Sequence, residues 1–387
     1  MSRTPRSILI YSADFWPARG GVQSVVMTLA RGFAPGGPAS PRMECTVVTE
    51  TPADRAADSE LPFRVVRNPR FIELVRLIGK SDLVHIAGPA LRPLAISFLL
   101  GKQIVVEHHG FQTVCPNGLL FHEPTRTGCP GYFVAGRHSE CWKCNAAAGY
   151  SRSLKVWALT FLRRWCCGFA AANIAPTGWL AGLLQLPRTS IISHGVKVRP
   201  CLPVPSAKSP TFAFVGRLVS TKGIEVLLHA CSELSNKGWE FRLRIIGDGP
   251  ERKALERLSG QSGIASRVDF VGEIPEEDID ALVSDAIAVV IPSLAGEVFG
   301  LAAAESLMRG RAVIVPEGGA LAEVAGKAGL TFAVGDSKSL AARMEQLLRS
   351  PEAAMELGER ARSYSLDLFG AERMLDRHWA LYQKVLG

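Results

Sequence analysis

The sequence predicts an α/β protein built as two doubly wound domains, each a parallel sheet with helices on both faces. Three observations carry that expectation. Short apolar β-branched runs such as Ala286–Ile291 recur without alternating polar residues, as strands buried on both faces require. Helical runs separate them, which makes consecutive strands parallel. A stretch from Lys197 to Pro210, carrying Pro200, Pro203, Pro205 and Pro210, breaks the series once, and a second series follows it.

A chain of 387 residues accommodates two such domains, expected at 1–200 and 201–365, with a last helix over 366–387 returning to the first domain. Hydrophobic content of 47% with 21% charged residues is that of a globular protein. No uncharged apolar run approaches the roughly 18 residues of a spanning helix. The opening MSRTPRS runs directly into ILIYS, too short for a signal peptide, and nine cysteines is an odd count; both suit a reducing cytoplasm. The net charge of +8 points to anionic partners: phosphates, a lipid surface or nucleic acid. The cations are dispersed and follow no nucleic-acid motif, so no nucleic-acid partner is expected.

In the first domain, Ser7–Ser12 reads as a buried strand leading through Gly20-Gly21-Val22 into a helix with Val22, Val25, Val26 and Leu29 at helical spacing. The pair Gly20 and Gly21 lets backbone approach a ligand or forms a plain tight turn; it lacks the G-x-G-x-x-G dinucleotide pattern. Strand-like runs fall between Met43 and Val66, a helical run between Arg70 and Gly79, and a strand over Asp82–Ile86 containing His85, either a packed residue or a ligand. Ile104–Val106 delivers Glu107-His108-His109-Gly110 to a strand end. Alternation lets at most one of those histidines face a crevice; His109 is the candidate, as a hydrogen-bond donor or proton carrier.

The stretch 110–150 is irregular and Cys-rich. Cys115, Cys129, Cys141 and Cys144, the last two a C-x-x-C knuckle, offer four thiolates for a structural zinc, or else stand as reduced thiols. Ser151–Phe169, with Lys155, Trp157, Phe161, Arg163, Arg164 and Trp165, reads either as an interfacial helix on anionic lipid or as a core helix with one wet edge. Ala172–Ala175 and Ser190–Ser193 are further strands, the second ending at His194-Gly195-Val196.

The second series runs strand Phe212–Val215, helix from Ile224, strand Phe241–Ile246, helix from Glu251, strand Val268–Val271 and helix from Asp278. The central strand Ala286–Ile291 follows, ended by Pro292, with a helix opening at Phe299-Gly300 and stopping at Gly310. That strand-to-helix turn lies at the carboxyl edge of a sheet, where such sheets bind ligands. Glu297 and Glu305 flank it, on the order of 10 Å apart along the helix axis. The amides of Gly300 and Leu301 between them offer an anion site. The spacing suits one carboxylate for sugar hydroxyls, amides for phosphates and one carboxylate for a ribose; two solvated glutamates are the plainer alternative. Arg217 after Gly216, and Lys222, bring two cations to the same edge, able to neutralise a diphosphate and the charge growing on it as a leaving group. Gly247 and Gly272 end two neighbouring strands as turns where backbone can approach a base or ribose.

Together these pieces resemble the retaining glycosyltransferases of the GT-B fold, specifically the large bacterial family numbered four. Glu297-Val298-Phe299-Gly300-Leu301 through Glu305 matches that family's E-x7-E motif, and Gly216-Arg217-Leu218 followed by Lys222-Gly223 matches its cationic segment. His109-Gly110-Phe111, followed by Cys115-Pro116, is similar to the family's H-D-x-W-x-x-C-P segment, with Gly110 for aspartate and Gln112 for tryptophan. Gly20-Gly21-Val22 matches the first glycine-rich turn, and His194-Gly195-Val196 stands for N-G-V. The resemblance implies two Rossmann-like domains facing across a cleft, the first for acceptor and the second for a nucleotide sugar.

By the same likeness Arg217 and Lys222 bind the donor diphosphate, Glu297 the sugar hydroxyls, Glu305 the ribose, and His109 lies over the sugar near the reacting bond. It further implies hexose transfer with retention from a UDP or GDP sugar to a lipid-linked or saccharide acceptor, no catalytic metal, and work in envelope or exopolysaccharide synthesis. A place on the inner face of the membrane follows from that reading and from the basic aromatic helix. A sugar-nucleotide epimerase on the related fold, or a non-catalytic sugar-nucleotide or metal-binding scaffold, are the competing expectations.

Overall fold

The computed structural model describes residues 6–18, 20–37, 43–52, 58–201 and 210–387. Pro203 and Pro205 of the expected linker lie outside the described residues. The chain divides into two compact units, one formed by Met1–Leu120, Pro130–Gly195 and Ala371–Gly387, the other by Phe121–Cys129 and Val196–Gly370.

In the first unit β1 (Arg6–Ser12), β2 (Met43–Thr49), β3 (Arg64–Arg67), β4 (Leu83–Ala87) and β5 (Gln103–Glu107) form the first part of a parallel sheet. After a two-stranded antiparallel hairpin, β6 (Phe121–His122) and β7 (Thr127–Gly128), the sheet continues with β8 (Ala172–Ala175) and β9 (Thr189–Ile191). Its order is β3-β2-β1-β4-β5-β8-β9, so the winding reverses between β1 and β4. Ile8, Leu9, Ile10, Val84, Val105 and Val106 are buried, as strands covered on both faces require. The register sets His85 beside Val105 and Ala87 beside Glu107, which brings the carboxyl ends of β4 and β5 level.

The C-terminal helix Ala371–Leu386 completes this unit. It lies against the helix Gly21–Phe33, where a Cβ on Gly32 would fall 2.3 Å from a Leu375 methyl, and the rings of Phe33 and Tyr382 meet at 5.6 Å. That helix was expected to begin at 366. It begins at Ala371 because Pro351–Leu368 belongs to a helix of the second unit. The boundary expected near 200 falls at Gly195–Val196, where the Val196 amide donates to the Phe369 carbonyl at 2.8 Å and Val196 bridges Gly370. Departing and returning chain are thereby joined at one point.

The second unit holds β10 (Thr211–Val215), β11 (Arg242–Ile246), β12 (Val268–Gly272), β13 (Ala286–Val290), β14 (Ala312–Pro316) and β15 (Gly329–Phe332) in the order β12-β11-β10-β13-β14-β15, all parallel. The winding reverses between β10 and β13, whose apolar residues pack among Phe212, Phe214, Phe241, Ile287 and Val290. Burying each phenylalanine contributes about 1.5–3 kcal/mol. The hairpin β6–β7 was not expected. It counts with this second unit, so the stretch 110–150 is shared between the two.

Candidate functional site

In the second unit the candidate residues converge on the carboxyl ends of β10 and β13. The turn Ser220–Lys222 is tied to the segment after β13 by the Leu294 amide, which donates to the Thr221 carbonyl at 2.9 Å. Gly223, at φ +64°, passes so close that a Cβ would meet the Pro292 carbonyl oxygen at 2.1 Å. That contact brings Lys222 to Glu297: Nζ donates to Oε1, and Ser293 Oγ donates to the same oxygen at 3.3 Å. Both side chains are partly exposed, so the pair adds only about 0–1 kcal/mol to stability.

Gly216, Gly247 and Gly272 form a second patch of bare backbone on this edge. The Gly216 amide donates to Ile246 at 3.0 Å and the Gly247 amide to Gly272 at 2.8 Å. A Cβ on Gly247 would lie 2.0 Å from the Gly216 oxygen. Arg217 follows, with its side chain exposed.

Gly300, at φ +89°, opens the helix Leu301–Met308, and no side chain caps it, which leaves its N-terminal amides suited to an anion. Glu305, inside this helix, pairs with Arg309 Nη1 one turn on at 3.6 Å, while Arg309 Nε donates to Asp280 at 2.7 Å. Desolvation pushes the Glu305 carboxyl up, and Arg309 offsets this only in part. Phe299, expected at the ligand, is instead core: it is 1% exposed and packs edge-on against Phe369 at 5.4 Å.

The first unit holds a different cluster. Glu107, fully buried at the end of β5, faces four imidazoles: His85 Nε2 at 3.1 Å, His109 Nε2 at 3.5 Å, His194 Nε2 at 3.5 Å and His378 Nε2 at 3.6 Å. Histidine contacts hold the Glu107 carboxyl well below its ordinary range, although burial opposes them. Burial lowers His85 and His194. His85 is therefore a packed residue as well as a partner, its Nδ1 receiving the Tyr382 hydroxyl at 2.8 Å.

His109, expected over a sugar, turns its ring to Glu107 and stacks on His194 with centroids 5.1 Å apart; its side chain is 5% exposed. His108 is buried against Asn173 at 3.0 Å and pushed down to about 4. Gly20 precedes the helix Gly21–Phe33, its carbonyl accepting from the Ser24 amide at 3.1 Å, and both Gly20 and Gly21 are exposed.

Among the described residues, Cys115, Cys141 and Cys144 of the first unit do not form a group with sulfurs all within 4.8 Å of one another, and Cys129 counts with the second unit. Among the described residues, the group of three or more ligand-type side chains whose ligand atoms all lie within 4.8 Å of one another is Glu107, His109 and His194. Asn117 comes between two of the thiols, accepting from Cys115 Sγ at 2.9 Å and donating to Cys144 Sγ at 3.2 Å.

The helix Tyr150–Phe169 buries Ser153, Thr160, Cys166 and Cys167, while Tyr150, Leu154, Phe161, Leu162, Trp165 and Phe169 are exposed. Its burial is inverted relative to a helix whose apolar face seeks the core. No helix of the described residues is long and apolar enough to cross a membrane.

Residues 204–364 match the family described as glycosyl transferases group 1. A 2-deoxystreptamine glucosyltransferase of Streptomyces kanamyceticus is 29% identical over 186 residues, 48% of this chain and 48% of that protein. The chain thus spans about half the length of that relative. A GDP-mannose-dependent alpha-(1-6)-phosphatidylinositol monomannoside mannosyltransferase of Mycolicibacterium smegmatis is 26% identical, covering 93% of this chain and 94% of that one. Among solved structures, Anabaena Alr3699/HepE in complex with UDP has a TM-score of 0.74 at 18% identity, covering 98% of this chain and 100% of that chain. Sucrose-phosphate synthase from Thermosynechococcus elongatus has a TM-score of 0.74 at 22% identity over 98% and 99%. The likeness shows the GT-B fold, in which two Rossmann-like α/β units follow one another.

Proposed function

We propose that this chain is a group 1 glycosyltransferase that moves a hexose, with retention, from a UDP or GDP sugar to a lipid-linked or saccharide acceptor. The observation that carries the reading is the Lys222–Glu297 pair beside the uncapped start of the helix Leu301–Met308. Without donor the two side chains satisfy each other. On donor entry each exchanges its partner: Lys222, with Arg217, takes the diphosphate, and Glu297 accepts from the sugar hydroxyls. Glu305 accepts from the ribose, and the backbone at Gly216, Gly247 and Gly272 lines the nucleoside. The match over residues 204–364, which contains all of these positions, supports the assignment.

As the bond to the leaving phosphate lengthens, negative charge gathers on the diphosphate. Lys222, Arg217 and the amides of Gly300 and Leu301 stabilise that charge where it develops, so the reaction needs no catalytic metal. The departing phosphate oxygen accepts the acceptor hydroxyl proton on the same face, which preserves the anomeric configuration. With His109 turned to Glu107, bond cleavage rests on the second unit and the donor phosphate.

The exposed apolar side chains of Tyr150–Phe169, flanked by Arg152, Lys155, Arg163 and Arg164, support a peripheral position on an anionic cytoplasmic membrane face. Envelope or exopolysaccharide synthesis is the setting that fits a lipid-linked acceptor.

The test is a thermal-shift panel of UDP, GDP and ADP with their sugar conjugates, followed by transfer assays. One nucleotide is expected to raise the midpoint by mass action. Glu297→Ala and Lys222→Ala are each expected to lower kcat by roughly 100- to 1,000-fold with unchanged circular dichroism. Near-normal turnover in either variant removes that residue from the reading, and product formed without any acceptor overturns transfer in favour of epimerisation.

A further inference from the structure

We infer that Glu107, His109 and His194 form a binding site for a divalent transition-metal ion of the zinc class inside the first unit. Among the described residues, each ion-pair partner of Glu107 is a histidine; no lysine or arginine reaches it. A fully buried carboxylate needs positive charge or hydrogen-bond donors close by, and a divalent ion held among these side chains would supply the charge. Both Glu107 oxygens and both ring nitrogens of His109 are buried without a hydrogen bond of good geometry.

One ligand atom from each of the three residues lies within 4.8 Å of the others, close enough for a small shift to bring them around one ion. Metal–ligand bonds of about 2.0–2.1 Å in a tetrahedron place neighbouring ligand atoms roughly 3.3 Å apart. His109 Nε2 and His194 Nε2 each stand 3.5 Å from Glu107, on Oε2 and Oε1 respectively. Two imidazoles and a carboxylate suit zinc, cobalt or nickel rather than magnesium or calcium, and they leave one position open.

The surroundings hold these ligands in place. His85 lies between Tyr382, whose hydroxyl meets its Nδ1 at 2.8 Å, and Glu107, whose Oε2 stands 3.1 Å from its Nε2. His85 thereby orients the carboxylate as an outer partner does in a metal site. The ion would clamp the end of β5 to the segment that leaves this unit at Gly195. The inference does not rest on the glycosyltransferase reading.

The experiment uses the full chain, stripped with chelator and loaded with Co2+ or Zn2+. About one equivalent of Co2+ per chain is expected, with visible ligand-field bands and no thiolate charge-transfer band in the near ultraviolet. Zn2+ displaces it and raises the melting midpoint. His194→Asn is expected to abolish binding with unchanged circular dichroism, and Tyr382→Phe to weaken it roughly 10-fold. The site is overturned by a chain that binds no Co2+, by a thiolate charge-transfer band, or by loss of metal in Cys141→Ser with retention in His194→Asn. Nucleotide-induced stabilisation reports on the second unit and is measured on the same samples, so failure of the metal site and failure of the transferase reading are separate results.

Discussion

Burial raises the Glu305 carboxyl above its ordinary range, and Arg309 at 3.6 Å recovers only part of the cost. Between the unfolded and folded values the native state therefore holds a proton that the unfolded chain has released. Stability from this group is present in full below the unfolded carboxyl range and is lost as pH rises through the folded value. Melting of Glu305→Gln across about pH 4 to 8 is expected to remove that loss, leaving the unliganded variant at least as stable as wild type at neutral pH. The same variant is expected to bind nucleotide roughly 10- to 100-fold more weakly, read by calorimetric titration, since an amide replaces a charged acceptor. A variant less stable at neutral pH, binding normally, would place Glu305 in the scaffold alone. Lys222 and Glu297 were legible from sequence because a strand end and a helix start position each of them locally. Glu107 was not: its partners His85, His194 and His378 lie on three other segments, brought together only by the order β4-β5-β8-β9 and by the returning helix. Phe299 sits inside the E-x7-E motif, yet just before the helix it is buried and packs against Phe369.

The strands and their parallel order follow from β-branched runs too apolar to face water, so nearly every strand of both sheets was legible. The two-residue strands of the hairpin β6–β7 carry no period to read. Close approach between elements, by contrast, left a mark in glycine. Gly223→Ala must move the Pro292 carbonyl or abandon φ +64°, and is expected to destabilise the chain by about 1–3 kcal/mol and to weaken nucleotide binding by parting Lys222 from Glu297. Denaturant melts and nucleotide titration check both. The helix Tyr150–Phe169 left two readings open in sequence, and its burial pattern decides which face is wet. Trp165→Ser with Phe169→Ser is expected to cut sedimentation with anionic vesicles several-fold while leaving soluble-acceptor transfer intact; binding equal to wild type would assign the stripe elsewhere.

At the scale of the molecule, an excess of eight positive charges favours anionic surfaces at low salt and weakens with ionic strength. The division into two units was legible from the proline-rich break, but its edges were not, because the units do not follow one another cleanly along the chain. The polypeptide crosses between them after Leu120, Cys129, Gly195 and Gly370. A ribosome making this protein emits most of the first sheet early, yet the helix carrying His378 and Tyr382 emerges only after the second unit. At about 5–20 residues per second, the interval between Gly195 and Ala371 lasts on the order of ten seconds or more. During that time the later unit has all but its closing residues, while the earlier one waits with the Phe33 and Gly32 face of its first helix uncovered. The unit that starts first is therefore completed only after the unit that starts second, and one face of its first helix stays uncovered in between.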